Sequence, residues 1–182
     1  TQVMLQGGLH PNHTLNTYTS IVRAVKERFP EIVLHSFSPA EIVFLANKEN
    51  LSISEVICTL KDAGLDSMPG ASDLLVDRIR RQVSPRKLSK DEWVNVMDVL
   101  AGLGMKTSAT MTYGMGETLT ERVSHLEIVR GVQDKNNHIR AFIPWSFSPA
   151  RTCLEGIPSS TGVDYLKTIA VSRIFLDNIK YI

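Results

Sequence analysis

Cysteine is nearly absent: the 182 residues contain only Cys58 and Cys153, far apart in the chain. A lone distant pair builds neither a disulfide framework nor a thiolate metal site, and reduced thiols of a cytoplasmic protein are expected. No apolar run approaches the roughly 18 residues of a transmembrane helix, and no secretory signal pattern is readable. Charge of one sign is missing too. Lys and Arg total 20 against 19 Asp and Glu, a net charge of +1, so nothing pulls the chain toward nucleic acid or an anionic membrane surface. There is no Walker loop, no dinucleotide fingerprint and no nucleophile elbow; Gly114-Met115-Gly116 falls short of GxGxxG. Low-complexity tracts and internal linkers are also lacking, so one domain with an ordinary core is expected.

What is present is a repeated decoration. Five short apolar runs each end in polar residues and glycine: Gln6-Gly7-Gly8-Leu9-His10, His35-Ser36-Phe37-Ser38, Asp66-Ser67-Met68-Pro69-Gly70, Thr110-Met111-Thr112-Tyr113-Gly114 and Trp145-Ser146-Phe147-Ser148. Strands are expected near 2–6, 32–36, 65–68, 105–112 and 139–144. Between them lie helical stripes. One runs from about Thr14 through Leu15, Tyr18, Ile21, Val22, Val25 and Phe29 to a stop at Pro30. Others are Trp93-Val96-Met97-Leu100 and Val123-Leu126-Val129-Val132. Ser38–Glu41, Ser52–Glu55, Ser89–Glu92 and Thr118–Glu121 have the spacing of capping boxes, the first with Pro39 at the first helical position. Gly64 and Gly102 or Gly104 fit helix C-caps. The segment 157–162 reads as a loop, and helix resumes through Tyr165, Leu166, Ile169 and Ala170.

Strand starts about 30 to 40 residues apart are the length of strand–helix–strand units. Alternation of this kind predicts an α/β fold with parallel strands, and polar groups at all the strand ends point to a (β/α) TIM-type barrel with helices outside. A closed barrel needs about eight units, so a partial barrel is expected. The chain opens at Thr1 without methionine and reads as helical up to Tyr181-Ile182; it is expected to be the central part, residues 1–182, of a single larger barrel domain.

Several residues could carry chemistry. Gly7-Gly8 either lets a ligand approach the backbone or only closes a tight turn. His10, His13 and His35 with Asp66 could form a metal-dependent hydrolase site, although the spacing is a poor match to usual ligand sets. Glu41 fits its capping box, and Glu117 precedes a helix whose dipole it would complement. Met105, Met111 and Met115 read as core filler.

Taken in order, QGGLHP at 6–11, HSFSPAE at 35–41, AGLDSMPG at 63–70, SATMTYGMGET at 108–118 and AFIPWSFSP at 141–149 resemble radical S-adenosylmethionine enzymes. The branch is the menaquinone and deazaflavin group: cyclic dehypoxanthinyl futalosine synthase, aminofutalosine synthase and the deazaflavin-precursor synthases. Ile143-Pro144-Trp145 and the HSFSP segment resemble the first of these most. The resemblance implies a cytoplasmic oxidoreductase that takes a futalosine derivative as its small-molecule substrate. It implies S-adenosylmethionine and a [4Fe-4S] cluster as cofactors, with an electron donor such as flavodoxin or ferredoxin as partner. For the first of these synthases the resemblance implies that a 5′-deoxyadenosyl radical abstracts hydrogen from the sugar portion of dehypoxanthine futalosine. The carbon radical then closes onto the aromatic ring, and loss of an electron and a proton leaves a spirocycle.

By the same resemblance, Gly7 and Gly8 match the glycine pair facing the methionine amino group, with Leu9 where an acidic residue often follows. Thr110, Thr112, Gly114 and Glu117 fall on the strand end near the adenine, Thr110 departing from the family's first glycine. His35, Ser38, Tyr113 and Trp145 would line the substrate side. The family's CxxxCxxC is missing, and Cys58 and Cys153 do not replace it, so the residues given are not expected to hold the cluster or to catalyse by themselves.

Overall fold

The computed structural model describes residues 1–182. Its elements are β1 (Gln2–Val3), α1 (Leu15–Arg28), β2 (Val33–Leu34), α2 (Pro39–Glu49), α3 (Ile53–Asp62), β3 (Ser67–Met68), α4 (Asp77–Val83), α5 (Lys90–Gly102), β4 (Lys106–Tyr113), α6 (Leu119–Asn136), β5 (Ile139–Ser146) and α7 (Gly162–Phe175). They fall into two compact units. The first joins Thr1–Gly70 to Asp91–Thr107, and the second joins Ala71–Lys90 to Ser108–Ile182.

In the first unit the strands follow sequence order and run parallel. Gln2 and Val3 face Val33 and Leu34, His35 bridges Ser67, and Ser67 and Met68 face Lys106 and Thr107. No topological switch occurs among them. Helix starts follow the sequence closely. Thr14 and Thr17 cap each other's backbone N–H at α1, and Ser52 and Glu55 do the same at α3. Each such pair satisfies donors that a helix start leaves open. Gly64 takes φ +114° and lets Leu65 bond back to Leu60, closing α3. Leu34, Ile42, Leu60, Met68 and Trp93 are fully buried, and the Trp93 indole donates to the Gly70 carbonyl at 2.6 Å. Of the α1 stripe, Leu15, Tyr18 and Val22 are buried, while Ile21 and Phe29 are exposed.

The strands here are shorter than the apolar runs. The pleat stops at Leu34–His35 because Phe37 adopts φ +66°, a conformation that bulky residues rarely take. Beyond that point the regular ladder is replaced by one side-chain bond and one backbone bond: Leu5 N–H donates to the Ser36 hydroxyl, and Phe37 N–H donates to the Leu5 carbonyl.

In the second unit β4 neighbours β5, joined by the 18-residue helix α6. Thr118 and Glu121 form the expected capping box, and Asn137 ends the helix in the left-handed region. Met111, Tyr113, Leu126, Val129 and Phe142 form the core, and Met115 is buried as well; Met105, of the first unit, is also buried. Two features depart from the sequence reading. Helix α4 was not expected; its N-cap, Val76, makes no side-chain cap, so no start signal marks it. And 176–182 is not helical: α7 stops at Phe175, and Tyr181 bridges Ala141 in parallel.

Candidate functional site

In the first unit the candidate groups gather at the ends of β1 and β2. Gly8 has φ +68°, and a Cβ built there meets nothing within 4 Å. The glycine therefore serves conformation and leaves one side open. Gly7 N–H donates to Glu41 Oε1 at 3.0 Å, and the Ser38 hydroxyl donates to Glu41 Oε2 at 2.7 Å. The Tyr18 hydroxyl donates to the Gly8 carbonyl at 3.1 Å. Glu41 is 2% exposed. This corrects the capping-box reading: Ser38 does cap α2 through Glu41 N–H, but the Glu41 carboxylate turns away from the Ser38 backbone to hold the glycine turn. Ser38 is thereby a support for Glu41, not an exposed wall. His35 is buried with Nδ1 2.8 Å from the Ser67 hydroxyl. Burial, and next the charge of Glu41, raise the pKa of Tyr18.

The hydrolase constellation is not assembled. His10 and His13 stack on each other at 4.0 Å. Asp66 pairs with Lys26 at 2.7 Å and accepts from Leu34 N–H. No group of three or more His, Cys, Asp or Glu side chains is placed to hold a metal ion.

In the second unit the end of β4 is bolted to residues 71–73. The Ser72 hydroxyl donates to the Thr110 carbonyl and accepts from Thr110 N–H. Asp73 N–H reaches the Thr110 hydroxyl at 3.3 Å, and Thr112 N–H reaches the Asp73 carbonyl at 2.9 Å. Ala71 and Asp73 both take positive φ to make this possible. Arg80, buried, anchors the segment by donating to the carbonyls of Ser72, Leu74 and Leu88. Thr110 is thus a structural residue. Thr112 instead lines a pocket of about 210 Å³ with Asp73, Arg80, Lys87, Met115 and Phe147, and an Asp73–Lys87 ion pair is part of that lining.

Just beyond, Glu117 closes the turn after β4. Its fully buried carboxylate accepts from Gly114 N–H at 2.7 Å, Met115 N–H at 2.8 Å and Arg122 Nε at 2.8 Å. It is more than a complement to a helix dipole. Gly114 is obligatory: a Cβ there would lie 2.6 Å from Ser160 Oγ, and φ is +90°. Arg122 also bonds Asp164 and lies 4.5 Å over the Tyr113 ring. Tyr113 is fully buried, which corrects its reading as a wall of the site. Trp145 stands 56% exposed at the end of β5, so it is not core packing here.

Sequence reasoning missed Ser72, Asp73, Arg80, Lys87 and Arg122. None sits at an apolar run's end: Ser72, Asp73, Arg80 and Lys87 belong to a segment between strands that carries no periodic signal, and Arg122 lies on α6 beside its apolar stripe, not in it. Only Glu41 had a visible marker, as an acidic residue at a helix start, and that marker pointed to a commoner role.

No protein-family model matches the chain. It is 44% identical over 180 residues to the cyclic dehypoxanthine futalosine synthase of Halalkalibacterium halodurans, covering 98% of this chain and 49% of that protein. It is 40% identical to the synthase of that name from Streptomyces coelicolor, with 100% and 46% covered. It is 39% identical to the 5-amino-6-(D-ribitylamino)uracil–L-tyrosine 4-hydroxyphenyl transferase of Methanococcoides burtonii, with 97% and 52% covered. The chain spans about half the length of the curated relatives it matches. Its fold is similar to that of methylornithine synthase, at TM-score 0.73 and 18% identity over 99% of this chain and 49% of that one. It is also similar to coproporphyrinogen III oxidase of Escherichia coli, a radical S-adenosylmethionine enzyme, at TM-score 0.67 and 14% identity over 97% and 40%. Along nearly its whole length the chain is thus similar to cyclic dehypoxanthine futalosine synthases and to these hydroxyphenyl transferases, and its fold is of the kind found in these two solved enzymes.

Proposed function

We propose that this chain is the central part of a cyclic dehypoxanthine futalosine synthase, folded as part of a (β/α) barrel whose remaining units and cluster ligands lie outside residues 1–182. The observation that carries the reading is 40 to 44% identity to two such synthases across essentially the full chain. The family implies S-adenosylmethionine and a [4Fe-4S] cluster. The cluster finds no ligands here: Cys58 and Cys153 are free thiols outside any metal-binding group. S-adenosylmethionine does find fitting groups. The open side of Gly8, with a buried carboxylate behind Gly7, suits its amino-acid end. When bound, S-adenosylmethionine supplies the carbon radical of the reaction.

The residues of the chain would bind and orient. Gly7 and Gly8 hold the methionine end. In the second unit, Thr112 and Gly114 would serve the adenosine, with Thr110 and Glu117 shaping the backbone around them. Trp145 offers an exposed ring face to an aromatic substrate, and His35 is held by Ser67 for a polar contact. Ser38 and Tyr113 support Glu41 and Arg122 respectively. No helix is long and apolar enough to cross a membrane, and work in the cytoplasm with flavodoxin or ferredoxin as electron donor fits this reading.

The test is a product assay on the full-length protein, reconstituted anaerobically with iron, sulfide, S-adenosylmethionine and a reductant. Dehypoxanthine futalosine should yield 5′-deoxyadenosine and its cyclic product. Turnover only with tyrosine and 5-amino-6-(D-ribitylamino)uracil would assign the chain to the transferase side of the family and overturn the proposal.

A further inference from the structure

The pocket beside Thr112, in the second unit, has walls and rim of different character. It measures about 210 Å³. An apolar cavity of about 150 Å³ is enough for benzene, so one flat ring with a small substituent fits. Leu74, Ile79 and Met115, all buried, and Phe147, half-buried, form apolar walls. Such walls suit an aromatic ring, and a thioether beside one adds a favourable contact. Three lining side chains are charged, Asp73, Arg80 and Lys87, which leaves one positive charge in excess. Arg80 is buried and directs its guanidinium to the carbonyls of Ser72, Leu74 and Leu88. Lys87 differs. Its side chain is 40% exposed, and its ammonium bonds only to the Asp73 carboxylate. An ammonium has three donors, so two are left for a ligand. Asp73 is itself fixed, because its N–H donates to the Thr110 hydroxyl and its carbonyl accepts from Thr112 N–H. The ion pair therefore keeps Lys87 at the rim, and a group already held in its bound position lowers the cost of binding. A cation with spare donors in a mostly apolar pocket matches a monoanion. A phosphate would bring two charges against Asp73, and a neutral ring would leave Lys87 unused.

We infer that this pocket binds a flat ring bearing a carboxylate, and that Lys87 meets the carboxylate while Asp73 holds Lys87 in position. Asp73 then acts in two opposed ways: its bond orients the ammonium, and its charge repels the incoming anion. The inference rests on the proposed function for the identity of the ring, the benzoate portion of dehypoxanthine futalosine. The chemistry of the pocket rests on its own lining. Phe147 follows Trp145 by two residues, so the pocket and that exposed indole belong to the same strand end. A half-exposed ion pair is worth little in water, so the preference for a charged ligand is about two- to fivefold.

The test uses the full-length protein and ligand-detected NMR titrations. The probes are benzoate and benzamide, alike in shape and different in charge. Wild type should bind benzoate about two- to fivefold more tightly than benzamide. Lys87→Met should lose that preference while binding benzamide as wild type does. Asp73→Asn should widen it by a similar factor, because the amide oxygen still accepts from Lys87 but no longer repels the anion. Asparagine also suits the positive φ at this position. A purely structural role for the pair gives no such gain. A wild type that binds neither probe, or both alike, overturns the inference. So does an undiminished preference in Lys87→Met, or a preference in Asp73→Asn no wider than in wild type. Equal weakening toward both probes in Lys87→Met also overturns it, since the lysine then only holds the fold. If Lys87→Met lacks a cooperative melting transition, Asp73→Asn decides alone. In a separate arm dehypoxanthine futalosine should displace benzoate. Failure to do so, with the Lys87 dependence intact, leaves the chemistry of the pocket standing and contradicts the functional reading instead.

Discussion

Gly8 and Trp145 show how much a single side chain, or the lack of one, decides at the strand ends. Gly8 sits at φ +68° with open space where a Cβ would go, so a substitution there meets strain rather than collision. Valine in the left-handed region costs about 1–2 kcal/mol, and its methyl groups project into the open side of the turn. Gly8→Val should therefore fold with a lower urea midpoint and bind S-adenosylmethionine more weakly than that strain alone explains. Unchanged affinity, with the destabilisation present, would assign the glycine to the turn only. Trp145 is the opposite case, a large apolar ring left 56% exposed. Indole can stack on an aromatic ring while donating one hydrogen bond, and ring closure by a radical demands close positioning. In the full-length enzyme Trp145→Leu should leave cleavage of S-adenosylmethionine running while cyclised product falls severalfold. Proportional loss of 5′-deoxyadenosine and product in one assay would remove the positioning role.

Between elements, His125 on α6 is the junction with the clearest physical signature. The imidazole is fully buried, and Nδ1 accepts from Leu75 N–H at 3.0 Å. Burial first, and the charge of Arg80 second, lower its pKa from 6.5 to about 3. The unfolded chain binds this proton below about pH 6.5 and the folded one does not until near pH 3, so stability is full above the upper value and is lost as pH falls between them. Glu121, lowered to about 2 from 4.5 by its bonds to Arg78 and Thr118, begins to act only as pH falls below about 4.5. A fall in the urea midpoint from pH 7 to pH 5 therefore reports chiefly on His125. It should shrink by more than half in His125→Gln, whose oxygen can still accept from Leu75. A gap of wild-type size in that variant would place the titrating group elsewhere. The same junction shows what periodicity can reveal. Leu126, Val129 and Val132 announce α6 as a helix with a buried stripe, but nothing about His125 tells that it reaches across to the segment after Gly70.

For the molecule as a whole, legibility followed the range of the interactions. Caps and breakers act within a few residues, so Thr14, Ser52, Thr118, Pro30 and Gly64 mark helix limits where the structure has them. The order of strands in the first unit follows from spacing. Contacts between segments far apart in sequence left no local trace: the Ser72–Thr110 clasp, the Arg80 anchor, and Glu41 beneath Gly7. Helix α7 stands apart because its pattern is inverted. It buries Thr168 and Ser172 and leaves Val163, Leu166 and Ile174, spaced at helical intervals, 61, 66 and 79% exposed. A surface helix normally turns its apolar stripe inward, and an exposed stripe of this kind recruits a partner in water. The β1 edge is a weaker candidate, because a two-residue strand offers little to pair with. The 182-residue chain alone should therefore self-associate through α7, copy against copy, at tens of micromolar. Light scattering after size exclusion should give a mass above 20.3 kDa, and Leu166→Glu with Ile174→Glu should return it to that mass without loss of helical signal. A wild-type chain that runs as a sharp monomer at the same concentration would show that this face tolerates water as it stands.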